Sequence, residues 1–178
     1  MHLTQDNYES LGYAYVNDFL SQEEVTFLTQ VMFKNREEKR LNNETDNRYY
    51  YKSEGGSPPE FRKVLEEKTP KIKELFKFNN AIPESVYARF YYNESTLNPH
   101  FDREALDHTL SVTLYSNLDE PWPLSCIDKK CNILSFDIKS GDGAMILGNK
   151  IVHWRKPLVC RSDQFVIQAF FHWRNIKK

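Results

Sequence analysis

From Ser85 onward, short β-branched and aromatic runs recur between turn residues, and this rhythm constrains the fold more than any other feature of the sequence. The runs lie near 85–92, 97–102, 110–116, 122–126, 132–137, 143–147, 150–155 and 164–173, with turns such as Ser140-Gly141-Asp142-Gly143 and Gly148-Asn149 between them. That spacing belongs to sandwiches and barrels. It predicts an α+β, mainly β fold: a double-stranded β-helix (jelly-roll, cupin-like) barrel with N-terminal helices packed outside. At 178 residues the chain has room for one domain, 1–178, with a strand-and-helix support over 1–82 and a jelly-roll core over 83–174.

The support reads from short signals. Gly12 to Phe19 is aromatic and β-branched enough for a strand, which Asp18 helps to close. Ser21 with Glu24 three residues later forms a capping box, and Val25, Leu28, Val31 and Met32 fall on one helical face. Residues 42–60 have no apolar period. They hold Tyr49-Tyr50-Tyr51 and Gly55-Gly56-Ser57-Pro58-Pro59, and are either disordered or a functional lid over 42–58 hinged at Gly55-Gly56. Phe61, Val64 and Leu65, then Ile72, Leu75 and Phe76, mark two helical runs, the second opened by Pro70.

Charge and cysteine content exclude some functions. With 24 Lys+Arg against 25 Asp+Glu there is no basic stripe to hold nucleic acid or an anionic membrane. The opening residues lack a basic start and apolar run, so a soluble, cytoplasmic protein without membrane association is expected. Cys126, Cys131 and Cys160 are odd in number and lack C-x-x-C spacing, which points to buried free thiols.

The chemistry concentrates in His100-Phe101-Asp102. On a strand, residues two apart share a face, so an imidazole and a carboxylate point the same way. Alone, H-x-D is a weak signal. His153 lies 51 residues after Asp102, in a strand that follows several others at barrel spacing and so can return beside the first pair. Two histidines and one carboxylate on one side of a metal form the facial triad of non-haem Fe(II) oxygenases.

The chain here resembles the Fe(II)/2-oxoglutarate-dependent dioxygenase superfamily, and within it proteins similar to prolyl 4-hydroxylases. The resemblance covers residues 83–174 through ARFYYNESTLNPHFD, SVTLYSNLD, SGDGAMILGNKIVHWRKPL and FVIQAFFHW, and more loosely GYAYVNDFLSQEEV. The block HWRKP also looks like a microbial and viral branch whose distal histidine sits in an HWR sequence. The resemblance implies that His100, Asp102 and His153 are catalytic iron ligands and that 2-oxoglutarate and O2 are consumed, with ascorbate a candidate stimulant. It further implies that a substrate C–H bond is hydroxylated as the 2-oxo acid is decarboxylated to succinate.

Carried over by position, Tyr91 matches a tyrosine facing the cosubstrate, and Tyr115 one that can bond its distal carboxylate. The sequence departs from the family at the basic residue of the last strand, where Gln164 stands instead of Arg or Lys. Arg161 and Arg155 are the replacements, and strand alternation from His153 favours Arg155, because a buried carboxylate without a cation would be strongly penalised. Arg89 shares the face of Tyr91 and is a candidate substrate residue, as are Tyr49, Tyr50 and Tyr51 in the lid. Gln168 and Phe170 should line the pocket, while Trp154 points away from it. His172 and His108 read as a core and a loop histidine, and His2 as part of a frayed terminus.

The residues leave three readings open. The first is an Fe(II)/2-oxoglutarate-dependent hydroxylase acting on a prolyl or other protein residue, or on a small molecule. The others are a cupin-type metal enzyme that does not use 2-oxoglutarate, which Gln164 favours, and a non-catalytic jelly-roll binding module, which a complete triad disfavours.

Overall fold

The computed structural model describes residues 5–43 and 52–176. The chain runs through α1 (Gln5–Leu11), β1 (Tyr13–Val16), α2 (Gln22–Glu37), β2 (Ser53–Gly56), α3 (Pro59–Phe76) and β3 (Ala81–Tyr91). It continues through β4 (Leu97–His100), β5 (His108–Ser116), β6 (Leu124–Ile127), β7 (Ile133–Phe136), β8 (Gly143–Ile146), β9 (His153–Arg155) and β10 (Val166–Asn175). The strands form two antiparallel sheets: a major one in the order β1-β8-β5-β10-β3-β2 and a minor one in the order β4-β9-β6-β7.

Strand alternation divides the major sheet into two faces. Ile167, Ala169, Phe171 and Trp173 of β10, with Val86, Ala88 and Phe90 of β3 and Leu110 and Val112 of β5, join one apolar core with the buried residues of α2 and α3. The helices cover this face because each presents an apolar stripe: Val25, Leu28, Val31 and Met32 on α2, and Phe61, Val64, Leu65, Ile72 and Phe76 on α3. On the opposite face Val166 and Phe170 share a second core with Leu97, Leu124, Cys126 and Phe136 of the minor sheet, so the two sheets pack against each other.

Local signals explain most of the supports. At the start of α2 the Ser21 hydroxyl accepts from Glu24 N at 3.2 Å, and the Glu24 carboxylate accepts from Ser21 N at 2.7 Å. Asp18 takes a left-handed backbone (φ 48) that ends the extended run after β1, and its N–H donates to Asp142 Oδ1 at 2.9 Å. The two helical runs expected around Pro70 are one helix. Pro70 is exposed, so the carbonyl it leaves without an N–H faces water, while one residue earlier the buried Thr69 hydroxyl donates to Leu65 O. Thr69 also accepts from the Trp173 indole at 2.8 Å, which ties α3 to β10.

Two expectations about the first half need correction. Gly55 and Gly56 are not a hinge, because they belong to β2, which pairs with β3 along the edge of the major sheet. A Cβ on Gly55 would stand 2.6 Å from Ala88 O, so glycine permits this close strand approach. Tyr49, Tyr50 and Tyr51 lie outside the described residues, as does His2. The cysteines are free, but only Cys126 is buried; Cys131 is exposed in the β6–β7 turn and Cys160 is half-buried. Among the described residues no helix is long and apolar enough to cross a membrane.

Candidate active site

His100 and His153 face each other across adjacent strands, paired in register between β4 and β9, with ring centroids 4.1 Å apart. Asp102 follows β4, held where its N–H donates to Gly148 O at 2.9 Å. Its Oδ1 lies 3.6 Å from His100 Nε2 and 3.7 Å from His153 Nε2, and one ligand atom from each residue falls within 4.8 Å of the others. Atoms so spaced can share one ion at the ~2.0–2.2 Å distances typical of nitrogen and oxygen ligands.

Both rings are oriented for that task. His100 Nδ1 donates to Asn98 O at 2.7 Å and His153 Nδ1 to Ile151 O at 3.0 Å. A carbonyl only accepts, so each Nδ1 carries the proton and each Nε2 presents its lone pair to the carboxylate side. Burial pushes the His153 pKa down to about 4 against the pull of Asp102, which keeps the ring neutral, as ligation requires. Burial alone would raise the Asp102 pKa. The polar surroundings, the His100 ring first, then the His153 and His172 rings and the Thr109 hydroxyl, outweigh burial and hold the carboxyl well below the usual range. The donor set therefore suits a divalent first-row metal such as iron.

Two residues that the sequence reading did not single out build the carboxylate's seat. The Thr109 hydroxyl donates to Asp102 Oδ2. Gly148 leaves the space: a Cβ there would lie 2.2 Å from Asp102 Oδ2 and 2.5 Å from Thr109 Oγ1. The sequence marks Gly148 as a turn residue, and its close approach to Asp102 is visible only in three dimensions.

Arg155 lies two residues beyond His153 on the same face of β9 and is almost fully enclosed, at 2 % exposure. Its guanidinium donates to Trp122 O, and to Gln168 Oε1 at 3.3 Å and Ser111 Oγ at 3.5 Å, and packs over the Trp122 ring at 4.9 Å. Nε has no hydrogen-bond partner, and among the described residues no carboxylate forms an ion pair with this side chain. Burial pulls its pKa down to about 10, opposed by Tyr91, so it remains a cation at neutral pH. A buried cation with a vacant donor is suited to an anion.

The other cosubstrate candidates separate. Tyr91 is buried on the inner face against Trp122, with centroids 4.9 Å apart. Tyr115 is turned away. Gln168 pairs with Thr113 and Ile167 with Tyr115, so a bulge at Leu114 puts Tyr115 on the helix-covered face, against Phe33 and Phe165. Arg161 is exposed and paired with Asp119 and Asp163, away from the triad. Gln164 precedes β10, and its side chain donates to Asn117 O and accepts from Arg161 N. Gln168 is the β10 residue that meets Arg155, its amide donating to Thr113 Oγ1 at 2.9 Å. Arg89 is on the inner face, where it donates to Ser53 Oγ at 2.9 Å.

A narrow cleft beside the triad is lined by Tyr87, Leu97, Thr109, Ser111, Phe170 and His172, among others. His172, expected in the core, is therefore at the site. His108 is packed against Phe78, with Nδ1 2.8 Å from the Tyr8 hydroxyl. Trp154 is on the other face of β9.

This two-sheet scaffold with helices on the major sheet is the fold of the 2-oxoglutarate-Fe(II) oxygenases. A Pseudomonas putida prolyl-4-hydroxylase matches with a TM-score of 0.71 and 14% identity, over 98% of this chain and 98% of that one. The viral collagen prolyl hydroxylase of Paramecium Bursaria Chlorella virus-1 matches at TM-score 0.67 and 18% identity, over 93% of this chain and 97% of that one. The carbocyclase SnoK of nogalamycin biosynthesis matches at TM-score 0.77 and 13% identity, over 97% and 83%. No family model matches the sequence, and no curated protein does.

Proposed function

We propose that this chain is one catalytic domain, an Fe(II)- and 2-oxoglutarate-dependent dioxygenase that hydroxylates a C–H bond of its substrate. The convergence of His100, Asp102 and His153 within 4.8 Å carries the reading. Iron held there would supply the oxidising chemistry of O2 activation coupled to decarboxylation of the 2-oxo acid. The protein's own part is to fix both imidazole tautomers through Asn98 O and Ile151 O, to seat the carboxylate with Thr109, and to keep water from the buried inner face. Arg155 holds the distal carboxylate of 2-oxoglutarate, with Ser111 and Gln168 beside it. The substrate is a prolyl or other protein residue. The nearness of two prolyl hydroxylases in fold and the HWR block at β9 support that choice, as a member of the prolyl 4-hydroxylase-like group.

Purified protein given Fe(II), ascorbate and 2-oxoglutarate should release succinate slowly without substrate and faster with a prolyl peptide that fits. Iron binding without succinate would replace this reading by a metal enzyme of the same scaffold that does not use 2-oxoglutarate. Arg155→Ala should raise the 2-oxoglutarate KM at least tenfold, the scale of a lost charge-assisted hydrogen bond. Arg161→Ala should leave it within about twofold, because that arginine is an exposed ion-pair partner.

A further inference from the structure

One turn serves two of the three ligands. In the 147–151 turn between β8 and β9, Gly148 O accepts from Asp102 N at 2.9 Å, and Ile151 O accepts from His153 Nδ1 at 3.0 Å. Asp102 itself opens the 102–107 loop that leads to β5. Neither segment belongs to a strand, so no ladder of backbone hydrogen bonds fixes one against the other. Each has bonds of its own: Lys150 N and Ile151 N donate to Leu147 O, and Leu106 N donates to Arg103 O. Such bonds set the shape of a turn and leave its place to other contacts.

A pair of side chains sets that place. The Asn149 amide donates to Glu104 O at 3.0 Å and to Asp107 Oδ1 at 3.0 Å. A carbonyl and a carboxylate accept, so the amide nitrogen is the atom that faces them. Asp107 Oδ2 accepts from Asn175 N at 2.7 Å, at the end of β10. This half-buried carboxylate therefore joins the turn, the loop and the major sheet at one point. Asp107 stands outside the cluster of ligand atoms, so it acts on the metal only through other residues. We propose that Asp107 and Asn149 are positioning residues for the metal site. Their contact clamps the 147–151 turn to the loop that carries Asp102, and through Gly148 O and Ile151 O it holds Asp102 and His153 in place for one ion. This inference rests on the metal-binding part of the dioxygenase reading.

The test uses the full chain and Co(II), whose visible absorption reports the geometry of its nitrogen and oxygen ligands, with affinity read by titration. Asn149→Ala and Asp107→Ala should each weaken Co(II) binding about tenfold, the scale of contacts that orient ligands, and shift the absorption bands. An exchange of the two residues separates positioning from packing. Asn149→Asp alone sets two carboxylates against each other, and Asp107→Asn alone leaves one oxygen for two donors. Together they re-form the contact with donor and acceptor exchanged, the new amide still offering its oxygen to Asn175 N. The double variant should therefore bind Co(II) at least about threefold more tightly than the weaker single one. Phe171→Ala, which destabilises the chain from the helix side, should leave Co(II) affinity within about twofold. Alanine variants that bind Co(II) like the wild type, a double variant no tighter than the weaker single one, or a Phe171→Ala loss as large as that of Asn149→Ala overturns the assignment. A wild type that binds no Co(II) overturns it together with the metal site. Co(II) binding without succinate release from the iron-loaded chain sinks the dioxygenase reading alone, because affinity and spectrum do not depend on turnover.

Discussion

The two faces of the major sheet are made by the same strands and do opposite things. Toward the helices β10 presents Ile167, Ala169, Phe171 and Trp173, all buried and apolar except for one indole N–H, which is bonded to Thr69. Toward the minor sheet the same strand presents Gln168, Phe170 and His172, and its neighbours add Arg89, Thr109, Ser111 and Thr113. One face holds the fold together through dispersion and water exclusion, and the other combines an apolar core with buried polar groups that are hydrogen-bonded to one another around the triad. The period of two separates stability from chemistry within single strands.

The comparison can be broken by substitutions that act on one face alone. Asp102→Ala should lower metal affinity more than a hundredfold and abolish succinate release, since it removes a ligand, beyond the ~10–100-fold scale of supporting contacts. Its metal-free stability should fall by about 1.5–3 kcal/mol, the scale of a hydrogen bond to a charged group, because the folded chain favours the ionised carboxylate and Thr109 loses its acceptor, and a much larger loss would erase the distinction between the faces. Phe171→Ala, on the helix side, should cost about 3–5 kcal/mol in urea unfolding, while turnover per folded molecule stays within about twofold. Gly148→Ala should sharpen the picture on the inner face. The new methyl group would meet the Asp102 carboxylate, so metal affinity measured by titration should fall about tenfold or more.

A further effect is set by pH and draws on both faces. His108, packed against Phe78 on the helix side, and His153 and His172 on the inner side all have pKa values lowered by burial. In this range the unfolded chain binds protons near pH 6.5 that the folded chain refuses. The metal-free protein should therefore keep its full stability above about pH 7. It should lose up to about 1.4 kcal/mol per pH unit for each histidine as pH falls below about 6.5, until the folded pKa is reached, near 4 for His153. A flat urea midpoint between pH 7 and pH 5 would show that neither face holds a neutral ring.

Period-two alternation and turn residues made the eight later strands legible. The same rule placed Arg155 beside His153, whereas Asp102, expected on the same strand as His100, joins it from just beyond the end of β4, held by Gly148 O. The capping box of α2 was equally plain, because a cap is a local contact between residues three apart. What escaped depends on partners distant in the chain. The bulge at Leu114 that rotates Tyr115 to the helix side arises in pairing with β10. Continuation of α3 through Pro70 depends on which side of that helix faces water. Gly55 and Gly56 carry no side chains from which a strand could be read, and their pairing is set by β3. His172 has no motif of its own, and its position shows only once β10 is seen to border the triad.

The cross-strand pairing of His100 with His153 has a mechanical consequence. β4 is four residues long and forms the border of the minor sheet, joined to it through β9 alone. An ion gripped from both strands would act as a rivet, fastening this short margin to its neighbour. Loading with Zn(II) should therefore slow amide exchange at residues 97–102 well before it affects β10, whose two flanking strands already secure it.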